Sequence, residues 1–186
     1  MADSNLAPDW LLGIVRRIDT FTDTTGTWFS WLAVPLVLIA SWEVIARYIF
    51  DAPTEWAFDA TYMTYGTFFM LGAAYALHKG AHIRTDFLWE NWSVRTKGLI
   101  DAIAYLFLFL PGMLMFFYIS FGEFWASFLI GETSEQTAWR PILWPFKGMV
   151  PLAILLLLIQ GVSEFLKSWW AAKTGIEIEH KEKIEV

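Results

Sequence analysis

A glutamate and an arginine four residues apart, inside an otherwise uncharged stretch, pose the first chemical question. Glu43 precedes Arg47, the order that favours an ion pair along one helix face. Glu55 and Asp59 repeat the spacing a few residues later, within reach of Arg47 across a short connection. Asp51 and Pro53 lie between the two pairs, a capping residue followed by one that needs no N–H. Two readings are open: a clamp that fixes two neighbouring helices, or a proton or ion site. The clamp is favoured, because a balanced set of charges already satisfies the requirement that buried ions be paired.

Histidine supplies the second candidate chemistry. His78, His82 and Asp86 are spaced i, i+4, i+8, a pattern able to ligate a divalent metal. No cysteine and no second acidic cluster accompany it. His180, the third histidine, lies in the C-terminal tail, so a b-type haem lacks the facing histidines it needs. Capping and interface roles for His82 and Asp86 around Gly80 fit better, and neither metal nor cofactor is expected. Glu123 finds plausible partners in Arg140 and Lys147, a candidate intramembrane pair. Lys147 can also snorkel or face another protein.

These residues sit in unusual surroundings. Hydrophobic residues make up 56% of the 186, charged residues only 17%, and the mean hydropathy is +0.45. A globule this small could not hide such an excess, so a soluble enzyme is excluded as the simplest class. A net charge of -6 argues against nucleic acid as partner. The absence of cysteine removes disulfides, thiol catalysis and iron–sulfur clusters together. Twelve tryptophans suit a chain that meets a membrane–water boundary.

The uncharged runs define the elements. Thr27 to Trp42, Ala60 to Leu77 and Ala102 to Gly122 carry no charge, and Pro141 to Ser163 carries only Lys147. A bilayer core about 30 Å thick needs roughly 20 helical residues to cross it. The expected fold is an all-α integral membrane protein, a single domain over residues 1–186. Its four transmembrane helices are expected at about 27–50, 56–77, 99–130 and 141–166. An amphipathic helix over 9–21, with Trp10, Ile14, Ile18 and Phe21 on one side and Asp19 largely away from it, is expected on the cytoplasmic face. Thr85–Arg95 suggests a second interfacial helix, and residues 174–186 a polar tail. The third span is long, about 48 Å, and must tilt, kink at Pro111 or protrude. Pro141, Pro145 and Pro151 predict a broken or bent start to the fourth span.

Charge asymmetry sets the expected orientation. Lysine and arginine gather before the first span (Arg16, Arg17), between the second and third (Lys79, Arg84, Arg95, Lys97) and in the tail (Lys167, Lys173, Lys181, Lys183). The first outer connection has none, and the second has only Arg140. Both termini are therefore expected to be cytoplasmic. No signal peptide is evident, so the first span is expected to remain as an uncleaved anchor.

The stretch from Trp42 to Asp59, WEVIARYIFDAPTEWAFD, resembles the hallmark of DctQ-like small membrane subunits of TRAP (tripartite ATP-independent periplasmic) transporters. Glu43, Arg47, Tyr48, Phe50, Pro53 and Trp56 match it, while Asp59 stands where the family usually has glutamate. Gly72, Gly80, His82, Ile83 and Asp86 match a second signature, and Pro141, Trp144, Pro151 and Gln160 a third. The resemblance implies a non-enzymatic subunit of a bacterial inner-membrane importer of organic acids. Its implied partners are a large membrane subunit, a periplasmic substrate-binding protein and the lipid bilayer. Sodium coupling is expected in the large subunit. Glu43, Arg47, Tyr48, Pro53, Trp56, Asp59, His82 and Asp86 are then expected to clamp the chain or touch the large subunit. Asp51, Glu55, Glu132, Glu135 and Arg140 are candidates for docking the binding protein by charge complementarity. Two alternatives stay open on the residues alone. One is a self-contained proton-coupled transporter using Glu43 or Glu123; the other is a membrane anchor of a redox enzyme using His78 and His82.

Overall fold

The computed structural model describes residues 7–80 and 92–178. His82, Asp86, most of the expected segment Thr85–Arg95 and the tail beyond residue 178 lie outside the described residues. Among the described residues six α-helices follow one another: α1 (Asp9–Ser30), α2 (Ala33–Tyr48), α3 (Ala57–His78), α4 (Val94–Ala104), α5 (Leu110–Ile130) and α6 (Trp144–Thr174). A π-helical turn, Tyr105–Phe109, joins α4 to α5. An isolated antiparallel bridge, Thr133 to Ile142, is the β-pairing among the described residues.

Proline sets several of the boundaries, with a different outcome each time. α1 runs unbroken to Ser30 instead of ending near Phe21, and the break falls at Trp31–Leu32. Pro35 explains the position: it has no N–H for the carbonyl of Trp31, and its ring crowds that carbonyl. Val34 N–H serves the Trp31 carbonyl instead, at 3.1 Å. Pro111 likewise follows the π-helical turn, where Leu110 N–H reaches back five residues to the Tyr105 carbonyl. The last helix departs from expectation. Pro141 stays in the preceding loop, Pro145 occupies the first turn, where no N–H is needed, and α6 continues unbroken through Pro151.

Among the described residues three helical stretches are long and apolar enough to cross a membrane: Asp9–Tyr48, Val94–Ile130 and Trp144–Thr174. The expected second span coincides with α3, which is not one of these three; Asp59, Thr61, Thr64 and Thr67 interrupt its apolar run. Burial separates the three stretches. In α6, 44% of the most apolar window is enclosed, against 6% in each of the other two. Large side chains on α2 and α5, among them Val37, Leu38, Met115 and Tyr118, therefore remain exposed.

The chain divides into two compact units. The first holds Met1–Thr24, Ala74–Met115 and Leu156–Val186. Leu11 and Val15 of α1, Ala74 and Leu77 of α3, Ala102 of α4, and Leu156 and Ala171 of α6 are buried in it. Ser93 caps α4, its hydroxyl accepting the Thr96 N–H at 3.3 Å. Arg95 then donates to the Ala172 carbonyl at 3.0 Å, near the end of α6. Gly98 allows that approach, since a Cβ there would lie 2.5 Å from the Ala172 nitrogen and 2.7 Å from the Ser168 oxygen.

The second unit holds Thr25–Ala73 and Phe116–Leu155. Its aromatic packing centres on Trp144, 5.3 Å from the Phe128 ring edge-on and 6.4 Å from Phe124. Phe146 packs against Tyr62 at 5.2 Å and lies where a side chain at Gly66 would stand.

Replacing Gly98 by alanine should destabilise the protein by about 1–3 kcal/mol, because backbone rather than a flexible side chain must give way. Gly13, also helical but with open space around it, is the control; there alanine should stabilise by up to about 1 kcal/mol. Thermal unfolding of the purified membrane protein measures both.

Candidate functional site

The polar side chains of these apolar helices gather into a few groups. In the second unit, Arg47 Nη2 lies 2.5 Å from Glu43 Oε1 and its Nε 3.0 Å from the same atom. The other carboxylate oxygen accepts the Thr54 N–H at 3.1 Å and the Thr54 hydroxyl. Glu43 thus ties the last turns of α2 to the connection that leads into α3. Asp51 reverses the chain there with φ 51, and Ala52 N–H donates to the Ala46 carbonyl at 3.0 Å.

Asp59 takes no part in that group. It is buried in the first turn of α3, where its oxygens accept the hydroxyls of Ser134, at 2.7 Å, and of Thr137. Arg47 is already engaged one helical turn away by Glu43, so the expected reach from Asp59 to Arg47 is replaced by a latch onto the α5–α6 loop. Asp59 also stands in the first turn of α3, the end of a helix where the backbone dipole favours an acidic side chain.

The same loop corrects the expected partner of Lys147. Gly131, with φ 61, ends α5 in a Schellman turn: Glu132 N–H donates to the Ser127 carbonyl at 3.1 Å and Gly131 N–H to Phe128 at 3.3 Å. The chain then doubles back, with Leu143 N–H on the Glu132 carbonyl and Ser134 N–H on the Pro141 carbonyl, both at 2.8 Å. This brings Glu132, not Glu123, to Lys147, at 2.5 Å. Glu123 is exposed on α5. The bond from Lys147 holds the Glu132 carboxyl below the ordinary carboxylate range.

The first unit holds a group that the sequence reading left scattered. Asp19, placed on the outer side of an interfacial helix, is buried. Its Oδ1 accepts from the Ser163 hydroxyl at 2.8 Å and from Gln160 Nε2 at 3.0 Å, and His78 Nδ1 lies 3.5 Å away. Lys167 Nζ, assigned from sequence to the charged tail, sits 2.6 Å from Asp19 Oδ2 and 3.3 Å from Glu164 Oε1. Gln160 also donates to Glu164 at 3.2 Å. One signal could have revealed the cluster: Gln160, Ser163, Glu164 and Lys167 stand at i, i+3, i+4, i+7, a polar stripe along one face of an apolar helix. The matching face of α1 reads Leu11, Val15, Asp19, Thr22, all buried, while Trp10, Ile14 and Phe21 point outward.

Asp19, His78 and Glu164 each bring a ligand atom within 4.8 Å of the others, close enough to surround a divalent ion. The Lys167 ammonium is already placed between the two carboxylates and supplies their positive charge. A second cation beside it would meet strong repulsion in so dry a setting. The group therefore acts as a salt-bridged lock joining α1, α3 and α6 within its unit.

Tyr48, Pro53, Trp56, Asp51, Glu55, Glu135 and Arg140 are exposed, with Tyr48 reaching 80%. Arg140 adopts φ 46 immediately before Pro141, where left-handed backbone is disfavoured.

Replacing Lys167 by alanine should cost about 3–5 kcal/mol, because two buried carboxylates lose their cation. Pairing Lys167→Met with Asp19→Asn should restore more than half of the loss, read as the unfolding midpoint of the double variant. Glu132 gives a pH test. Its folded-state carboxyl titrates below the ordinary value of 4.5, so its stabilisation is present above that value and is lost as the pH falls through the lower folded one. The difference in unfolding midpoint between wild type and Lys147→Gln should be measurable at neutral pH and vanish in acid.

Residues 36–170 match the family described as Tripartite ATP-independent periplasmic transporters, DctQ component. No curated protein and no solved structure matches the chain. The matched segment begins early in α2 and ends near the close of α6, so it contains the Glu43 clamp, the Asp59 latch and the Gln160–Lys167 stripe, while Asp19 precedes it. Long apolar helices and a family match over most of the chain agree: this protein belongs to the DctQ component family of tripartite ATP-independent periplasmic transporters.

Proposed function

We propose that the chain is the brace of its transporter: a small, non-catalytic subunit that holds the static scaffold of the large membrane subunit and helps dock the periplasmic binding protein. Four spans carry this role in the bacterial inner membrane. They are formed by the α1–α2 stretch, α3, the stretch from α4 to α5, and α6, with both termini cytoplasmic by the distribution of lysine and arginine. Ion-coupled movement of an organic acid takes place in the large subunit. Glu43, Arg47, Tyr48, Pro53, Trp56 and Asp59 hold the spans together or face that subunit, and His82 and Asp86 serve the same end at the cytoplasmic side. Asp51, Glu55, Glu135 and Arg140 face the binding protein.

One observation carries this reading. Most of the charged groups named above are engaged within the chain, as in Glu43–Arg47–Thr54, Asp59–Ser134–Thr137 and Asp19–Lys167, with Glu123 exposed on α5 as the exception, while broad apolar faces of α2 and α5 remain uncovered. A transport site needs ionisable groups open to an ion or substrate. A brace needs rigid helices and apolar surface to offer to lipid and partner.

Arg47→Ala should therefore lower the amount of large subunit that co-purifies with this chain several-fold. The complexes that still form should keep the wild-type substrate affinity. Quantifying the co-purified subunit and measuring uptake in proteoliposomes separates the two effects. Normal assembly with altered affinity would instead assign Arg47 to a binding site.

A further inference from the structure

The exposed turn of the α5–α6 loop is built more rigidly than a connection requires. Thr137 to Arg140 form a four-residue turn, closed by Arg140 N–H on the Thr137 carbonyl at 3.3 Å. Thr137 is fastened at the same time through its hydroxyl to buried Asp59, and Ser134 beside it through a second bond to the same carboxylate. The Ser134 hydroxyl in turn accepts the Gln136 N–H at 3.2 Å. Glu132–Lys147 and the Thr133–Ile142 bridge hold the base of the loop. At the tip stands Trp139, 50% exposed, next to Arg140 in left-handed backbone before a proline. Backbone strain of this kind costs about 1–3 kcal/mol and persists only where surrounding contacts enforce it.

We propose that Trp139 is the apolar anchor by which this subunit grips the soluble binding protein, an inference that rests on the docking role proposed above. Rigid presentation is what an anchor needs, since a tryptophan already held in place loses little freedom on binding. The surroundings indicate the partner's chemistry. Asp51, Glu55 and Glu135 are exposed in the same unit against Arg140, the exposed Arg47 being paired with Glu43, so the unpaired exposed charge of these connections is acidic on balance. Asp59, four residues after Glu55, joins that connection to Thr137, two residues before Trp139. The partner surface is accordingly a recess that accepts an indole ring, bordered by basic side chains.

The test uses the complex of small and large subunits in lipid nanodiscs and the transporter's own purified binding protein, with affinity measured by biolayer interferometry. Trp139→Ala should weaken binding at least tenfold with the complex intact by size-exclusion chromatography, and Trp139→Phe less than threefold. Thr137→Val, which keeps the ring but releases the latch, should weaken binding by a smaller factor than Trp139→Ala. Asp51→Lys and Glu135→Lys should each weaken it, most strongly at low salt. If the lysine variants weaken binding and Trp139→Ala does not, the anchor is overturned and the docking role stands. If none of these variants changes affinity, the docking role falls with it. Loss of the large subunit on Trp139→Ala would assign the ring to the subunit interface and overturn the inference.

Discussion

Inside a lipid bilayer water is not available to solvate a charge, so an ionisable side chain on a membrane helix must find its partner within the protein. Much of this structure follows from that requirement. Glu43 takes Arg47 and Thr54, Asp59 takes two hydroxyls, and Asp19 takes Lys167, Gln160 and Ser163. Such contacts act on geometry more than on total stability, since well-packed apolar residues of equal volume can be as stable as a buried ion pair. What they specify is register. Asp19 can meet Gln160, Ser163 and Lys167 together only when α1 is turned so that Leu11 and Val15 also face inward.

The prolines show how little the residue alone decides. Pro35 separates α1 from α2, Pro111 follows a π-helical turn, Pro145 sits comfortably in the first turn of α6, and Pro151 lies within a continuous helix. The missing N–H is common to all four, but its effect depends on position and on what packs nearby. At a helix start it costs little, and in an enclosed helix such as α6 the neighbouring elements hold the axis together.

A subunit of this kind has two sorts of surface. The exposed apolar faces of α2 and α5 suit lipid or another membrane helix, and no particular side chain dominates them. The α2–α3 and α5–α6 connections of the second unit are different, pinned by hydrogen bonds and each with a non-glycine residue in left-handed backbone, Asp51 and Arg140. Aspartate tolerates such backbone through its short polar side chain, whereas Arg140 has no such relief. Pinned loops on a helical base match the bracing role proposed for this subunit.

Much of this was legible in the amino-acid sequence. The long uncharged runs required helices, the Glu43–Arg47 spacing required that both side chains share a face, and the Trp42–Asp59 motif named the family before any geometry was known. Local contacts of this kind are encoded by spacing, because helical periodicity alone brings i and i+4 together. Partners distant in the chain were not legible. Asp19 and Gln160 are 141 positions apart, and Asp59 and Ser134 75. A carboxylate in an amphipathic stretch reads as solvent-facing until the helix that covers it is in place. Likewise the spacing offered Lys147 only Glu123, and the Schellman turn at Gly131 brought Glu132 to it instead. The sequence by itself determined the class of protein, the helices and the pairs along one helix, since these depend on composition and period. Only the tertiary structure decided which helix faces meet, and so which charges are buried and with whom.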